Sequence, residues 1–224
     1  MSGRDEVRRL AAESLARGDA TGWFEELYRR AGGSFERIPW ADLAPNPVLV
    51  EWLGTPGARR GGRACLVVGC GLGDDAECLA AAGFSVLAFD VSATAIRACR
   101  SRFPDSRVEY AVADLLAPPA GWSGRFDLVF ESYTLQVLPP GERRAAIRSL
   151  TSLLCPGGRL LLLCRGRDPG DPVGELPWPL LREELDAARE DGLEELSFES
   201  FLDAESPPVR RFRALYERRG GGAG

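Results

Sequence analysis

The sequence predicts an α/β fold: a doubly wound, mostly parallel seven-stranded sheet with a C-terminal antiparallel hairpin and an N-terminal helical lid. Three observations carry this. From residue 64 onward, short apolar runs alternate with helical stretches, the βαβ pattern of a parallel sheet. The first apolar run leads directly into a glycine-rich turn and then a helix. The last third of the chain reads as two strands separated by Pro207-Pro208, which would close one sheet edge as a hairpin.

Residues 1–60 read as a helical and irregular lid. Val7, Leu10, Ala11 and Leu15 recur near helical spacing over 6–16. Asp19 or Thr21 could cap a second helix through Trp23, Phe24, Leu27 and Tyr28, stopped by Gly32-Gly33. Prolines 39, 45 and 47 force an extended segment, followed by a short helix over 48–53. The main domain spans 61–219. Its strands are expected at 64–69 (ACLVVG), 85–89 (SVLAF), 107–113, 126–131 (FDLVFE) and 159–164 (RLLLLC). Helices fit between them: Asp74 to Ala82, a helix capped by Ser92 and reaching Arg102, and Gly141 to Leu154, broken by Pro156-Gly157-Gly158. Residues 165–179 form a loop rich in Gly, Pro and Asp. A helix over 180–189 and strands over 192–202 and 209–218 complete the domain. Residues 220–224 read as a disordered tail.

Composition excludes several chemistries. There is no His, and all 28 basic residues are Arg. A Ser-His-Asp triad, a His-ligated zinc, a Schiff-base lysine and a P-loop lysine each need a residue this chain lacks. The net charge of −5 argues against a nucleic-acid partner, which needs a positive field. Short Arg runs such as Arg59-Arg60 read as solvated surface. The six cysteines form no CxxC pair, and most read as small core residues. No secretory leader and no apolar run of membrane-spanning length is visible, so no membrane partner is expected and the cytoplasm is the expected location. A monomer or homodimer is expected.

The chemistry centres on Val68-Gly69-Cys70-Gly71-Leu72-Gly73-Asp74-Asp75. Glycines after a strand let the backbone approach a ligand and turn into the helix. Ligands of open, Rossmann-like α/β sheets sit at the carboxyl ends of the strands. The dinucleotide pattern G-x-G-x-x-G is not met: the third glycine, Gly73, arrives one residue early and Asp74 stands in its place. An acid at a helix start also competes with a pyrophosphate for that terminus. The loop therefore suits a nucleoside ligand without a phosphate bridge, and S-adenosyl-L-methionine (SAM) fits. Asp90, about 20 residues past the loop, could accept both ribose hydroxyls. Asp114, at the end of the third strand, could accept from the adenine amine or be an ordinary loop acid. No metal site is expected.

Together these stretches resemble the class I SAM-dependent methyltransferases over residues 64–164. VVGCGLGDD resembles their first motif, FDVSATAI (89–96) the ribose-binding one and ADLL (113–116) the adenine one. That resemblance implies cofactor contacts from Gly69, Gly71, Gly73, Asp90, Val91, Asp114 and Leu115. TGWFEELY with IPWADLAPNP (38–47) is similar to the N-terminal lid of the thiopurine, thiol and halide methyltransferases, and to the tellurite-resistance group. By this likeness Trp40 would pack over the cofactor. Here the lid acid is displaced to Asp42 and the lid glycine is absent.

Methyl transfer from a sulfonium needs alignment more than strong acid–base chemistry. A thiol or other soft nucleophile then needs no strong base, whereas an amine or hydroxyl needs a proton acceptor. With no His or Lys, the candidates follow the fourth strand: Glu131, Tyr133 and Gln136. Glu131 could be a base of raised pKa, a partner for the SAM amino group or a cap for the next turn. Arg165 and Arg167 could steer an anionic acceptor. Trp178 with Trp23 and Phe24 could form an apolar wall or pack the core. Cys70 reads as a small residue in a tight turn. The expected function is methyl transfer to a small-molecule acceptor. The alternatives are a non-catalytic SAM- or nucleoside-binding protein and an NAD(P)-dependent oxidoreductase.

Overall fold

The computed structural model describes residues 3–58 and 61–220. Arg59-Arg60 and residues 221–224 of the expected tail lie outside them. The seven strands form one sheet in the order β3-β2-β1-β4-β5-β7-β6. The chain divides into two compact units, 1–114 and 115–224.

The first unit opens with α1 (Gly3–Leu15) and α2 (Gly22–Ala31). The start of α2 is held by Asp19, whose Oδ1 accepts from the N–H groups of Thr21 (3.1 Å) and Gly22 (2.7 Å). Thr21 itself supplies no side-chain cap. Gly32 ends the helix in the left-handed conformation that an L-residue adopts at a cost. The proline-rich segment leads to α3 (Pro47–Leu53), where Asn46 caps the Val48 N–H at 3.0 Å. Strand β1 (Ala64–Val68) pairs in parallel with β2 (Ser85–Asp90), and β2 with β3 (Glu109–Val112). Helix α4 (Asp74–Ala81) follows β1, and α5 (Ala93–Arg102) follows β2. Ser92 caps α5 by accepting from the Ala95 N–H at 3.0 Å. Cys65, Leu66, Val67 and Val68 are all buried, as expected for a strand covered on both faces.

The second unit holds β4 (Phe126–Ser132), α6 (Pro140–Ser152) and β5 (Leu154–Arg165), with β4 and β5 parallel. Here the sequence reading is corrected. The Pro156-Gly157-Gly158 stretch does not separate helix from strand but lies inside β5, which begins at Leu154. Phe126 faces Leu154 while Leu128 faces Arg159, so the extra residues are taken up as a bulge. The helix expected over 180–189 is two single turns, α7 (Arg182–Leu185) and α8 (Ala187–Glu190), interrupted at Asp186. Strands β6 (Leu193–Leu202) and β7 (Arg210–Arg218) form the expected hairpin. β7 runs antiparallel to β5, and β6 takes the sheet edge. No helix of the described residues is long and apolar enough to cross a membrane.

Candidate active site

In the first unit, β1 delivers the glycine loop. Gly69, Gly71 and Gly73 all have left-handed φ, at 58°, 55° and 91°. Crowding explains the third glycine: a Cβ on Gly73 would stand 2.6 Å from Tyr110 Oη and 3.2 Å from Cys99 Sγ. On Gly71 it would stand 3.1 Å from Tyr28 Oη. The loop is held by its peptide groups. The Gly71 N–H donates to Asp90 Oδ2 at 3.0 Å, and its carbonyl accepts from the Cys99 thiol at 3.2 Å. The hydrogen bond with Cys99, and then desolvation, hold the Cys70 thiol well above the usual range, which suits an inert turn residue.

Asp90 ends β2 and is 7% exposed. Its Oδ1 accepts from the Ser92 N–H at 2.8 Å. Burial pushes its carboxyl up to about 6, against the downward pull of the Ser92 and Gly71 N–H groups. Each carboxylate oxygen thus holds a backbone donor and keeps acceptor capacity for a hydroxyl. A cradle of left-handed glycines beside a buried acid at a strand end fits an adenosine-type cofactor with its ribose diol on Asp90. Val91 is half-buried. The Ala113 N–H donates to the Asp90 carbonyl at 3.1 Å, and Asp114 follows, half-buried. Leu115 is buried.

Trp40 lies edge-on to three aromatic rings of α2: Trp23 (6.1 Å), Phe24 (6.3 Å) and Tyr28 (6.4 Å between centroids). It remains 38% exposed. Asp42 is exposed. The proline segment is tied down instead through the Asn46 N–H, which donates to Asp75 Oδ1 at 2.7 Å. Burial pushes the Asp75 carboxyl up to about 6.

In the second unit, Glu131 is fully buried near the end of β4. Its Oε1 accepts from the N–H groups of Thr134 (2.6 Å) and Leu135 (3.0 Å), so it does cap the following turn. Its Oε2 is buried with no hydrogen-bond partner among the described residues. Burial pushes the carboxyl up to about 7. Tyr133 adopts φ 65°, a rare conformation for a non-glycine residue. Its N–H donates to the Leu163 carbonyl at 2.9 Å, and the Arg211 guanidinium lies 4.8 Å from its ring centroid. Gln136 is structural: its Oε1 accepts from the Arg165 N–H at 2.7 Å, and its carbonyl from the Trp178 N–H at 2.7 Å. The Arg165 guanidinium lies 3.8 Å from Glu205, and Arg167 donates to the Asp171 carbonyl of its own loop at 3.2 Å.

Comparisons with known proteins identify the family. Residues 65–158 match the family model described as a methyltransferase domain. A probable thiol methyltransferase of Arabidopsis thaliana is 30% identical over 164 residues, which cover 72% of this chain and 67% of the plant protein. The chain belongs to the class I SAM-dependent methyltransferases. A ubiquinone biosynthesis O-methyltransferase of Xanthomonas euvesicatoria is 35% identical over 128 residues, but the match covers 56% of this chain and about half (52%) of that protein. A solved structure titled for the conversion of a disulfide bond into a thioacetal group during echinomycin biosynthesis is 26% identical, with a TM-score of 0.73. It covers 91% of this chain and 93% of its own.

Family membership removes the oxidoreductase alternative. Asp74 is not an open charge at the helix start. Arg102 pairs with both its oxygens, at 2.7 and 2.8 Å, and also donates to the Leu72 carbonyl. Three residues that support these segments from outside the motifs were missed in the sequence: Glu25 and Tyr28, both on α2, reach Ser92 with Thr94 and the glycine loop, and Arg211 covers Tyr133. The sequence places Tyr28 on the second helix, but nothing local marks which distant loop such a residue meets.

Proposed function

We propose that this methyltransferase moves the SAM methyl group to a small-molecule thiol or similarly soft sulfur nucleophile. The observation that carries the proposed methyl transfer is Glu131: a fully buried carboxyl with one oxygen fixed by two backbone N–H groups and the other with no hydrogen-bond partner among the described residues. Its value near 7 suits it to take the acceptor's proton as the new bond forms; the choice of sulfur rests on the similar proteins, since a thiol, of ordinary pKa about 8.5, asks least of that base. SAM supplies a methyl carbon already activated by its sulfonium; the acceptor S–C bond forms as the cofactor S–C bond breaks. Gly69, Gly71, Gly73, Asp90, Val91, Asp114 and Leu115 hold the adenosine, and residues 1–60 act as a lid whose Trp40 covers it. Tyr133, in its left-handed conformation with its ring under the Arg211 guanidinium, aligns the acceptor. Names of similar proteins support a sulfur acceptor: one is a thiol methyltransferase and one is tied by its title to disulfide-to-thioacetal conversion. The acidic net charge fits a protein acting on small molecules.

Methylation with labelled SAM tests this against thiols, phenols, amines, halides, and selenite or tellurite. Turnover of thiols in preference to phenols is expected. Turnover of phenols alone would move the protein to the O-methylating side of its relatives. SAM binding without turnover of any acceptor class would favour the non-catalytic alternative.

A further inference from the structure

Glu25 lies on α2, far in sequence from the cofactor motifs, yet three of its hydrogen bonds end at the start of α5. Its Oε2 accepts from the Ser92 hydroxyl at 2.7 Å and from the Thr94 N–H at 2.9 Å; its Oε1 accepts from the Thr94 hydroxyl at 2.5 Å. The Thr94 hydroxyl in turn accepts from Arg97 at 2.6 Å, and the Arg97 guanidinium stands 4.0 Å from Glu25. A carboxylate on backbone and hydroxyl donors at a helix N-terminus makes charge-assisted bonds, stronger than neutral ones. Those bonds hold its own carboxyl below the usual range.

What makes this more than a helix cap is the next link. Ser92 is fully buried, and its N–H is the donor that fixes Asp90 Oδ1 at 2.8 Å. Its hydroxyl accepts from the Ala95 N–H and donates to Glu25. The line Glu25–Ser92–Asp90 therefore runs from an N-terminal helix to the acid proposed for the ribose. On the same helix, one turn on, Tyr28 reaches toward Gly71. α2 thus touches both halves of the cofactor cradle with side chains three residues apart.

We propose that Glu25 is a positioning residue through which docking of α2 sets the affinity for SAM. The inference rests on the ribose role of Asp90. Coupling of this kind is reciprocal: if docked α2 tightens the cofactor, the cofactor must tighten α2 by the same factor.

The test uses the full chain with Glu25→Gln, Glu25→Met and, separately, Asp90→Asn. Gln keeps the size and an acceptor; Met keeps the size alone. SAM affinity is measured by calorimetry, and amide hydrogen exchange is followed over residues 22–31 with and without SAM. In the unsubstituted protein SAM should slow exchange over 22–31 about tenfold. Glu25→Met should raise the SAM dissociation constant about tenfold and abolish that protection, with kcat at saturating SAM unchanged; Glu25→Gln should restore most of both. Thr94→Val, which removes a hydroxyl and spares α2, should give a smaller loss in the same direction and serves if the Met variant does not fold. Affinity within twofold of the original in Glu25→Met, or in Thr94→Val if that stands in for it, overturns the proposal, as does SAM-insensitive exchange over 22–31. If Asp90→Asn binds SAM normally while Glu25→Met does not, the ribose assignment fails and the α2 tie stands.

Discussion

The indole N–H of Trp40 donates to the phenol oxygen of Tyr28 at 3.2 Å. One partner is partly exposed and the other almost fully buried, so the bond pins a surface ring to the core of the first unit. Tyr28→Phe removes the acceptor while keeping the ring. Because Trp40 can turn to water, the stability cost should be about 1 kcal/mol, the net value of a neutral hydrogen bond. The larger effect should fall on the cofactor: a several-fold weaker SAM affinity, shared by Trp40→Ala, with calorimetry as the measurement. Equal SAM binding in both variants would detach this aromatic cluster from the cofactor.

Asp90→Ala should raise the SAM dissociation constant more than tenfold. It also frees the Gly71 and Ser92 N–H groups, so Asp90→Asn is the cleaner comparison. In the free protein, Asp90 ionises only above about 6. As pH falls through that value the neutral acid becomes a poorer acceptor, and affinity should drop. A titration of affinity from pH 8 to 5 should show the loss in the original protein and none in Asp90→Asn.

Stability should move with pH in the opposite sense to that of a salt-bridged protein. Asp75 and Asp90, near 6, and Glu131, near 7, all lie above their ordinary range of about 4. Between about pH 4 and 7 the folded chain therefore binds more protons than the unfolded one, and these groups lower stability as pH rises. Thermal melting should show a higher midpoint at pH 5 than at pH 7.5. Substituting Asn at 75 and 90 and Gln at 131 should flatten the difference.

Glu131→Gln keeps acceptor capacity for the Thr134 and Leu135 N–H groups but cannot take a proton. A fall in kcat of about 10²- to 10⁴-fold with unchanged SAM affinity is expected if it serves the acceptor. The rate profile of the original enzyme should bend near pH 7. A weaker SAM complex with kcat intact would instead assign it to the cofactor's amino group.

Gly71→Val should abolish SAM binding while leaving the far-ultraviolet circular dichroism unchanged. Its φ of 55° would strain a β-branched residue by about 1–3 kcal/mol, and its Cβ would press on Tyr28 Oη.

Much of this was legible in the sequence for a local reason. β1 and β2 are short apolar runs buried on both faces, and the loop that follows β1 carries its glycines where the backbone turns left-handed. The Ser92 cap was also legible, because its partner lies three residues away. Where the reading slipped, the deciding contact was distant. Pro156-Gly157-Gly158 looks like an end of structure, but pairing with β4 carries the strand through it. Asp74 looked like a bare charge until Arg102, 28 residues on, closed on it. Glu25 meets Ser92 across 67 residues, and no spacing rule reaches that far.

Glu131 Oε2, which has no hydrogen-bond partner among the described residues, has a consequence for anyone seeking a hardier version of this protein. A buried carboxyl half-satisfied by the backbone is a place where the fold gives up stability. Screens for heat resistance should therefore select replacements at 131 that still accept from the Thr134 and Leu135 N–H groups, and if Glu131 serves the acceptor as proposed, each should come out slower as an enzyme. Selection for durability and selection for turnover would pull this one position in opposite directions.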